Sequence, residues 1–322
     1  MRAPTQRLRA PSRPRLFPLL PRLASVAAVV AVAALALPPR EAAAFCRTTT
    51  ESTLGGGCAS TGLPLYWKYR CVGFRLTEAG TAEVPFDRVQ ETAVRAFESW
   101  SKPSCSSGTP SVDVSYLGTT KTDKVEFDVK GTNENIVVFR DNAWPYEDTL
   151  AIALTTLTYD KRQGEILDAD IEVNSHAVAI VAKDSSIPLK GSEYDLSTIL
   201  THEAGHFLGL AHSEVRDATM YYKYNPGTVD QGTLKDDDAA GICAIYRSSG
   251  ARTTAHGDVV PAAVCAPTAS EEAPASMAGG AFAFACAAPG PSASRPWGAS
   301  GLVLVAGALL RARRRNRAQR AR

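Results

Sequence analysis

Two-thirds of the way along the chain, residues 201–213 read THEAGHFLGLAHS and hold three of its five histidines, His202, His206 and His212. No other stretch restricts the fold as much. His202 and His206 are four residues apart, so on an α-helix both imidazoles stand on one face. That spacing suits two nitrogens of one tetrahedral zinc. Gly209 accepts φ > 0, ends the helix and turns the chain back. His212 then brings a third nitrogen, and three neutral ligands leave the fourth position open. Glu203 adjoins the first ligand, where its carboxylate can act as general base towards water.

Such a site needs a folded support, and the flanking sequence predicts one. Residues 65–72 are aromatic and β-branched, a strand by propensity. Val84-Pro85-Phe86-Asp87 opens a helix. Val89, Ala93, Val94, Ala96, Phe97 and Trp100 then recur at three- and four-residue spacing. Lys102-Pro103 ends it. Short strands are expected at 112–117 and 136–139. Longer ones at 150–159 and 165–174 flank a tight turn and predict a hairpin. A second helix runs from about 194 to 208. A third, 235–246, carries three aspartates in its first turn, which suits the positive end of the helix dipole. Strands and three helices without an internal repeat predict one α+β domain over residues 63–248.

The ends differ from this body. Arg2, Arg7, Arg9, Arg13, Arg15 and Arg22 precede an apolar run at 23–37, and Ala42-Ala43-Ala44 precede Phe45. Basic, apolar and then small residues describe a secretory signal peptide over 1–44. The run is shorter than the roughly 20 residues of a spanning helix. Seven arginines lie in 1–44 and eight in 295–322; without these and Glu41, the 35 basic and 33 acidic residues become 20 against 32, a body at −12. A basic nucleic-acid face is therefore not expected.

Export puts cysteines in an oxidising compartment. Cys46, Cys58, Cys71, Cys105, Cys243 and Cys265 can form three disulfides, with the pairing left open by the sequence. Residues 45–62, rich in Thr, Ser and Gly, read as a stapled N-terminal loop. Residues 249–285 read as an Ala/Pro/Ser-rich linker.

The HExxHxxGxxH pattern, the Met220 turn (ATMYY) and the final helix DDAAGICAIY together resemble a metzincin zinc endopeptidase, most closely the matrixin branch. The resemblance implies a twisted five-stranded mixed sheet with three helices and a cleft at the zinc helix. Within the cleft, His202, His206 and His212 would hold one zinc and Glu203 would be catalytic. Asp237 and Asp238 would tie the last helix to the methionine turn. Protein or peptide substrate would add as an antiparallel strand to an edge strand at 150–156, with Leu154, Tyr221, Tyr222 and Tyr224 lining the cleft.

Three departures from the family pattern stand out. Tyr222 occupies a position where matrixins usually carry proline, and astacins and serralysins place a zinc-reaching tyrosine. It is either a fifth ligand or oxyanion stabiliser, or a pocket wall. Asp170 stands in place of a histidine of the second zinc site. Asp168, Asp170 and Glu172 suit calcium, or else form one solvated face of the hairpin, and His176 reads as a surface residue. No Pro-Arg-Cys-Gly latency motif is visible; Cys46-Arg47 is a faint echo, and a disulfide is its expected use.

After Cys286, a Pro-rich spacer, an apolar run at 297–310 and an arginine cluster resemble the C-terminal sorting tails of exported bacterial proteins, notably the myxobacterial type with one cysteine before the span. Residues 286–322 are then a membrane tail processed by a sorting enzyme at Cys286. The expected protein is a monomeric, secreted or surface-held bacterial zinc endopeptidase, similar to extracellular matrix peptidases. The rival reading is a catalytically silent adhesion module on the same fold.

Overall fold

The computed structural model describes residues 45–53, 58–148, 150–183, 188–248, 265–266 and 279–287, the last two stretches as backbone. The signal peptide expected at 1–44 and the apolar run at 297–310 lie outside them.

The apolar spacing around Val89 and Phe97 produces helix α1 (Phe86–Ser99), with Val89, Thr92, Ala93, Ala96 and Phe97 on its buried face. Pro85 immediately precedes it, where a missing N–H costs nothing. The strands are β1 (Cys71–Thr77), β2 (Asp113–Thr120), β3 (Ile136–Phe139), β4 (Ala151–Asp160) and β5 (Ile166–Val173). They form a mixed sheet in the order β2-β1-β3-β5-β4. The first four strands of that order pair in parallel, and β4 runs antiparallel to β5. Gly164, with φ 72°, closes the β4–β5 hairpin in a conformation that favours glycine. With α2 (Leu196–Phe207) and α3 (Asp236–Ile245), this is the expected α+β fold of five strands and three helices.

Aromatic packing joins the helices to the sheet. Phe74 on β1 stacks on Phe97 of α1 at 4.1 Å between centroids, and Phe97 meets Phe207 of α2 edge-on at 5.0 Å. Buried rings of this size dominate core energetics.

Side chains also satisfy the ends of α2, a local one at its start and distant ones at its end. The Asp195 carboxylate accepts from the Thr198 N–H at 3.0 Å, capping the N-terminus. At the other end, Trp67 Nε1 donates to the Phe207 carbonyl at 2.8 Å and the Tyr246 hydroxyl donates to Leu208 at 2.9 Å. These are carbonyls a helix end leaves open. Trp100 Nε1 donates to Thr201 at 2.9 Å.

The cysteines pair as Cys46–Cys58 and Cys105–Cys243, and Cys71 is also disulfide-bonded. The strand predicted from residue 65 starts only at Cys71. Ahead of it, Pro64 and Tyr66 make single bridges, because the Trp67 N–H is donated to the Tyr246 hydroxyl rather than to a ladder.

The sheet is wider than the sequence suggests. Residues 265–266 pair in parallel with Cys71 and Val72. A sixth long strand, β6 (Gly279–Ala287), lies antiparallel along β4, from Gly279 opposite Asp160 to Ala287 opposite Ala151. The outer edge expected to be open at 150–156 is therefore paired with the chain's own backbone. The strand overlaps the end of the stretch read as a linker over 249–285: Phe282, Phe284 and Cys286 alternate with alanines, but Ala and Gly are weak strand formers and mask the pattern. Among the described residues, no helix is long and apolar enough to cross a membrane.

Candidate metal centre

α2 presents His202 and His206 four residues apart, and Gly209 ends it with φ 95°. A Cβ on Gly209 would also sit 2.9 Å from the Leu65 carbonyl oxygen, so both the turn and its packing require glycine. The chain then doubles back, and Leu210–Ala211 pairs antiparallel with Cys46–Arg47. This returns His212 to the helix. The three rings lie 4.7–5.3 Å apart between centroids, all buried, with one prospective ligand atom from each within 4.8 Å of the others.

Backbone carbonyls orient the rings. His202 Nδ1 is 2.7 Å from the Thr219 oxygen and His206 Nδ1 is 2.8 Å from the Leu210 oxygen. A carbonyl only accepts, so each Nδ1 is the donor and each Nε2 of the neutral ring carries a lone pair. The two Nε2 atoms face each other at 3.1 Å. A cation between them satisfies both, so the donor set fits zinc. Burial keeps the rings neutral, pushing His202 down to about 4, against the pull of the Thr219 carbonyl, and His212 down to about 3. His206 is held well below the usual histidine range by burial first and by its two neighbours second.

Glu203 projects from the same helix towards β4. The Thr155 hydroxyl donates to its Oε2 at 2.5 Å, while Oε1 is buried without a hydrogen-bond partner. Burial pushes the carboxyl up to about 8, with the Thr155 bond opposing. The sequence reading did not single out Thr155. Its signal was positional: residues alternate faces along a strand, and Thr155 is the polar residue on the helix-facing side of β4. Leu154, expected in the cleft, lies on the opposite face, in register with Glu172.

Support comes from below and behind. Thr219 and Met220 donate their N–H groups to the two Asp238 oxygens at 2.8 and 3.0 Å, and Lys235 N donates to the same carboxylate at 2.8 Å. Asp238 thus fastens the methionine turn to the start of α3. Asp237 accepts from the Ser213 hydroxyl at 2.6 Å. Gly205, also missed, lets Met220 and Trp100 pack directly on the helix: a Cβ there would lie 2.2 Å from Met220 Sδ and 2.7 Å from Trp100.

The remaining candidates fall in different places. Tyr222 is 42% exposed, with its ring centroid 6.3 Å from that of His212. Tyr221 packs against it at 4.8 Å. Tyr224 is buried, accepting from Asp195 N at 3.0 Å and donating to Thr228 O at 2.8 Å. It braces the entry to α2. Asp168 and Asp170 are buried and hydrogen-bonded to each other; burial raises Asp168 to about 7 and Asp170 well above the carboxylate range. Glu172 engages Arg140 at 2.7 Å and the Tyr146 hydroxyl. His176 is exposed. The Cys286 backbone is part of β6, opposite Ala153. Among the described residues, the histidines are the one group of three or more ligating side chains close enough to share an ion.

Helix, glycine hinge and methionine turn meet here in the arrangement that defines the metzincin architecture. The sequence pattern of the Matrixin family matches residues 66–247, more than half of the chain, and the chain belongs to that family. Curated relatives match shorter stretches. A hatching enzyme of Paracentrotus lividus is 40% identical over 101 residues, 30% of this chain and 16% of that protein. Metalloendoproteinase 1-MMP of Arabidopsis thaliana is 44% identical over 61 residues, 18% and 16% of the two chains. Karilysin of Tannerella forsythia is 38% identical over 63 residues, 20% and 13%. The matched stretches thus span under a fifth of each of these relatives.

The contact beneath Gly205 gives a test. Gly205→Ala forces Met220 and Trp100 apart and should cost about 1–3 kcal/mol, as overpacking does. Urea unfolding of the zinc-loaded protein measures this; an unchanged midpoint would show that the turn does not press on the helix.

Proposed function

We propose that the chain is an exported, zinc-dependent endopeptidase acting on protein or peptide substrates, held at or released from a bacterial surface and working as a monomer. The observation that carries this is the buried three-histidine cradle with Glu203 beside it, its second oxygen fixed by Thr155. Zinc, when bound by His202, His206 and His212, supplies Lewis acidity towards water and the scissile carbonyl. Glu203 takes the proton of the attacking water through Oε1 and hands it to the departing amine. Thr155 keeps the carboxylate aimed, and the Thr219 and Leu210 carbonyls keep both imidazoles in the ligating tautomer. Export rests on the signal-peptide pattern at 1–44, and surface tethering on the sorting-tail pattern with Cys286.

Tyr222 supplies a hydroxyl near the reacting carbonyl in this reading, supported by its exposed ring next to His212. The buried Asp168–Asp170 pair is a candidate for calcium, supported by Asp168 Oδ1, which lacks a hydrogen-bond partner.

Glu203→Gln should bind zinc as the parent does yet lose hydrolysis of a mixed peptide library by at least about 1,000-fold in kcat, since the proton shuttle is gone. If the fully zinc-loaded parent cleaves no peptide, the adhesion module becomes the better account. Tyr222→Phe should lower kcat about 100- to 1,000-fold with KM little changed, as for loss of one oxyanion donor; unchanged turnover reduces Tyr222 to a pocket wall. Calcium should raise the Tm of the zinc-loaded parent and leave Asp168→Asn unmoved. Equal calorimetric traces with calcium and with a calcium-selective chelator would remove calcium from the assignment.

A further inference from the structure

The outer edge of β4 is where the proposed reaction needs its substrate. An extended peptide adding there makes main-chain bonds with β4, whose Thr155 holds the Glu203 carboxylate. That edge is filled by the chain's own residues 279–287. β6 pairs with β4 along its whole length, in register from Gly279 opposite Asp160 to Cys286 opposite Ala153, with one irregularity before Ala287. Its direction is antiparallel, the direction expected of a substrate strand. Phe284 stands opposite Thr155. β6 also lies against α2, the helix that carries His202, Glu203 and His206. The same C-terminal stretch is held a second time, where residues 265–266 pair with Cys71 and Val72 at the far side of the sheet.

Resting on the endopeptidase reading, we propose that residues 279–287 form an internal latency strand: a tethered peptide that occupies the substrate edge of β4 and must leave before a substrate can pair there. Tethering makes the competition one-sided. A strand joined covalently to the domain it pairs with is held at an effective concentration of about millimolar. An exogenous peptide at micromolar concentration then competes against a large excess. Hydrolysis by the intact chain is therefore slow until the strand is displaced or cut away. The contact is made by backbone, so its strength depends on ladder hydrogen bonds rather than on particular side chains. Proline removes such a donor and is excluded from a paired strand.

The test uses the full chain and its double variant Phe282→Pro/Ala283→Pro, each also in a Glu203→Gln form. Two consecutive prolines ensure that one falls at a ladder donor, because donors alternate along an antiparallel pair. The double variant should hydrolyse a fluorogenic peptide with kcat/KM at least about tenfold higher than the parent, chiefly through a lower KM. A synthetic peptide of residues 279–287 should inhibit the double variant competitively. In the Glu203→Gln pair, amide hydrogen exchange across residues 151–160 should be faster with the prolines than without. Equal kcat/KM in two active proteins would overturn the latency strand, as would an inert synthetic peptide. If neither protein hydrolyses anything, that failure belongs to the endopeptidase reading. The exchange experiment then decides the strand alone: faster exchange sustains it and identical exchange ends it.

Discussion

Two imidazole lone pairs meet at 3.1 Å at a buried site, and the surrounding structure is arranged to keep them there. The rings must be neutral, which burial enforces, and they must present Nε2, which the Thr219 and Leu210 carbonyls enforce. Each carbonyl lies beyond the end of α2, so the helix alone does not make the site. Leu210 is placed by the turn at Gly209, and Thr219 by the loop that Asp238 draws onto α3. Met220, on that loop, closes against Gly205 from beneath. One side chain on α3 therefore helps set the tautomer of a histidine on α2.

The sheet contributes through its alternation. Thr155 on the inward face of β4 fixes one oxygen of Glu203 and leaves the other for chemistry. The residues next to it in register, on the outward face, join a row of acids that is mostly spoken for. Glu172 is bonded to Arg140 and Tyr146, while Asp168 and Asp170 share a hydrogen bond. The outer edge of the same strand meets β6. Face, reverse face and edge of one strand thus serve three separate purposes.

Much of this is legible in the sequence, for identifiable reasons. Helical spacing placed His202 and His206 on one face, and Gly209 announced the turn. The periodic apolar residues of α1 and the turn signal between 160 and 164 gave a helix and a hairpin. What could not be read depends on contacts far apart in the chain. Thr155 gains meaning only from Glu203, 48 residues away. Gly205 gains its role only from Met220 and Trp100, which pack against it from other segments. Tyr224 looked like one more aromatic cleft wall, but its hydroxyl is spent on Asp195 and Thr228. β6 does alternate, Phe282, Phe284 and Cys286 with alanines between them, but its alanines and glycines carry weak strand propensity and its neighbours read as linker.

The Cys105–Cys243 bond links residues 138 apart in sequence. Every residue of the metal centre, from Thr155 through the histidines to Asp238, lies on the chain between those two cysteines. The centre therefore sits on a covalently closed ring. A single break in any loop of that ring opens the backbone without releasing a fragment, and the broken ends stay near one another at high effective concentration. The structure thus gives its reactive centre a form of nick tolerance that segments before residue 105 and after residue 243 do not receive from this bond.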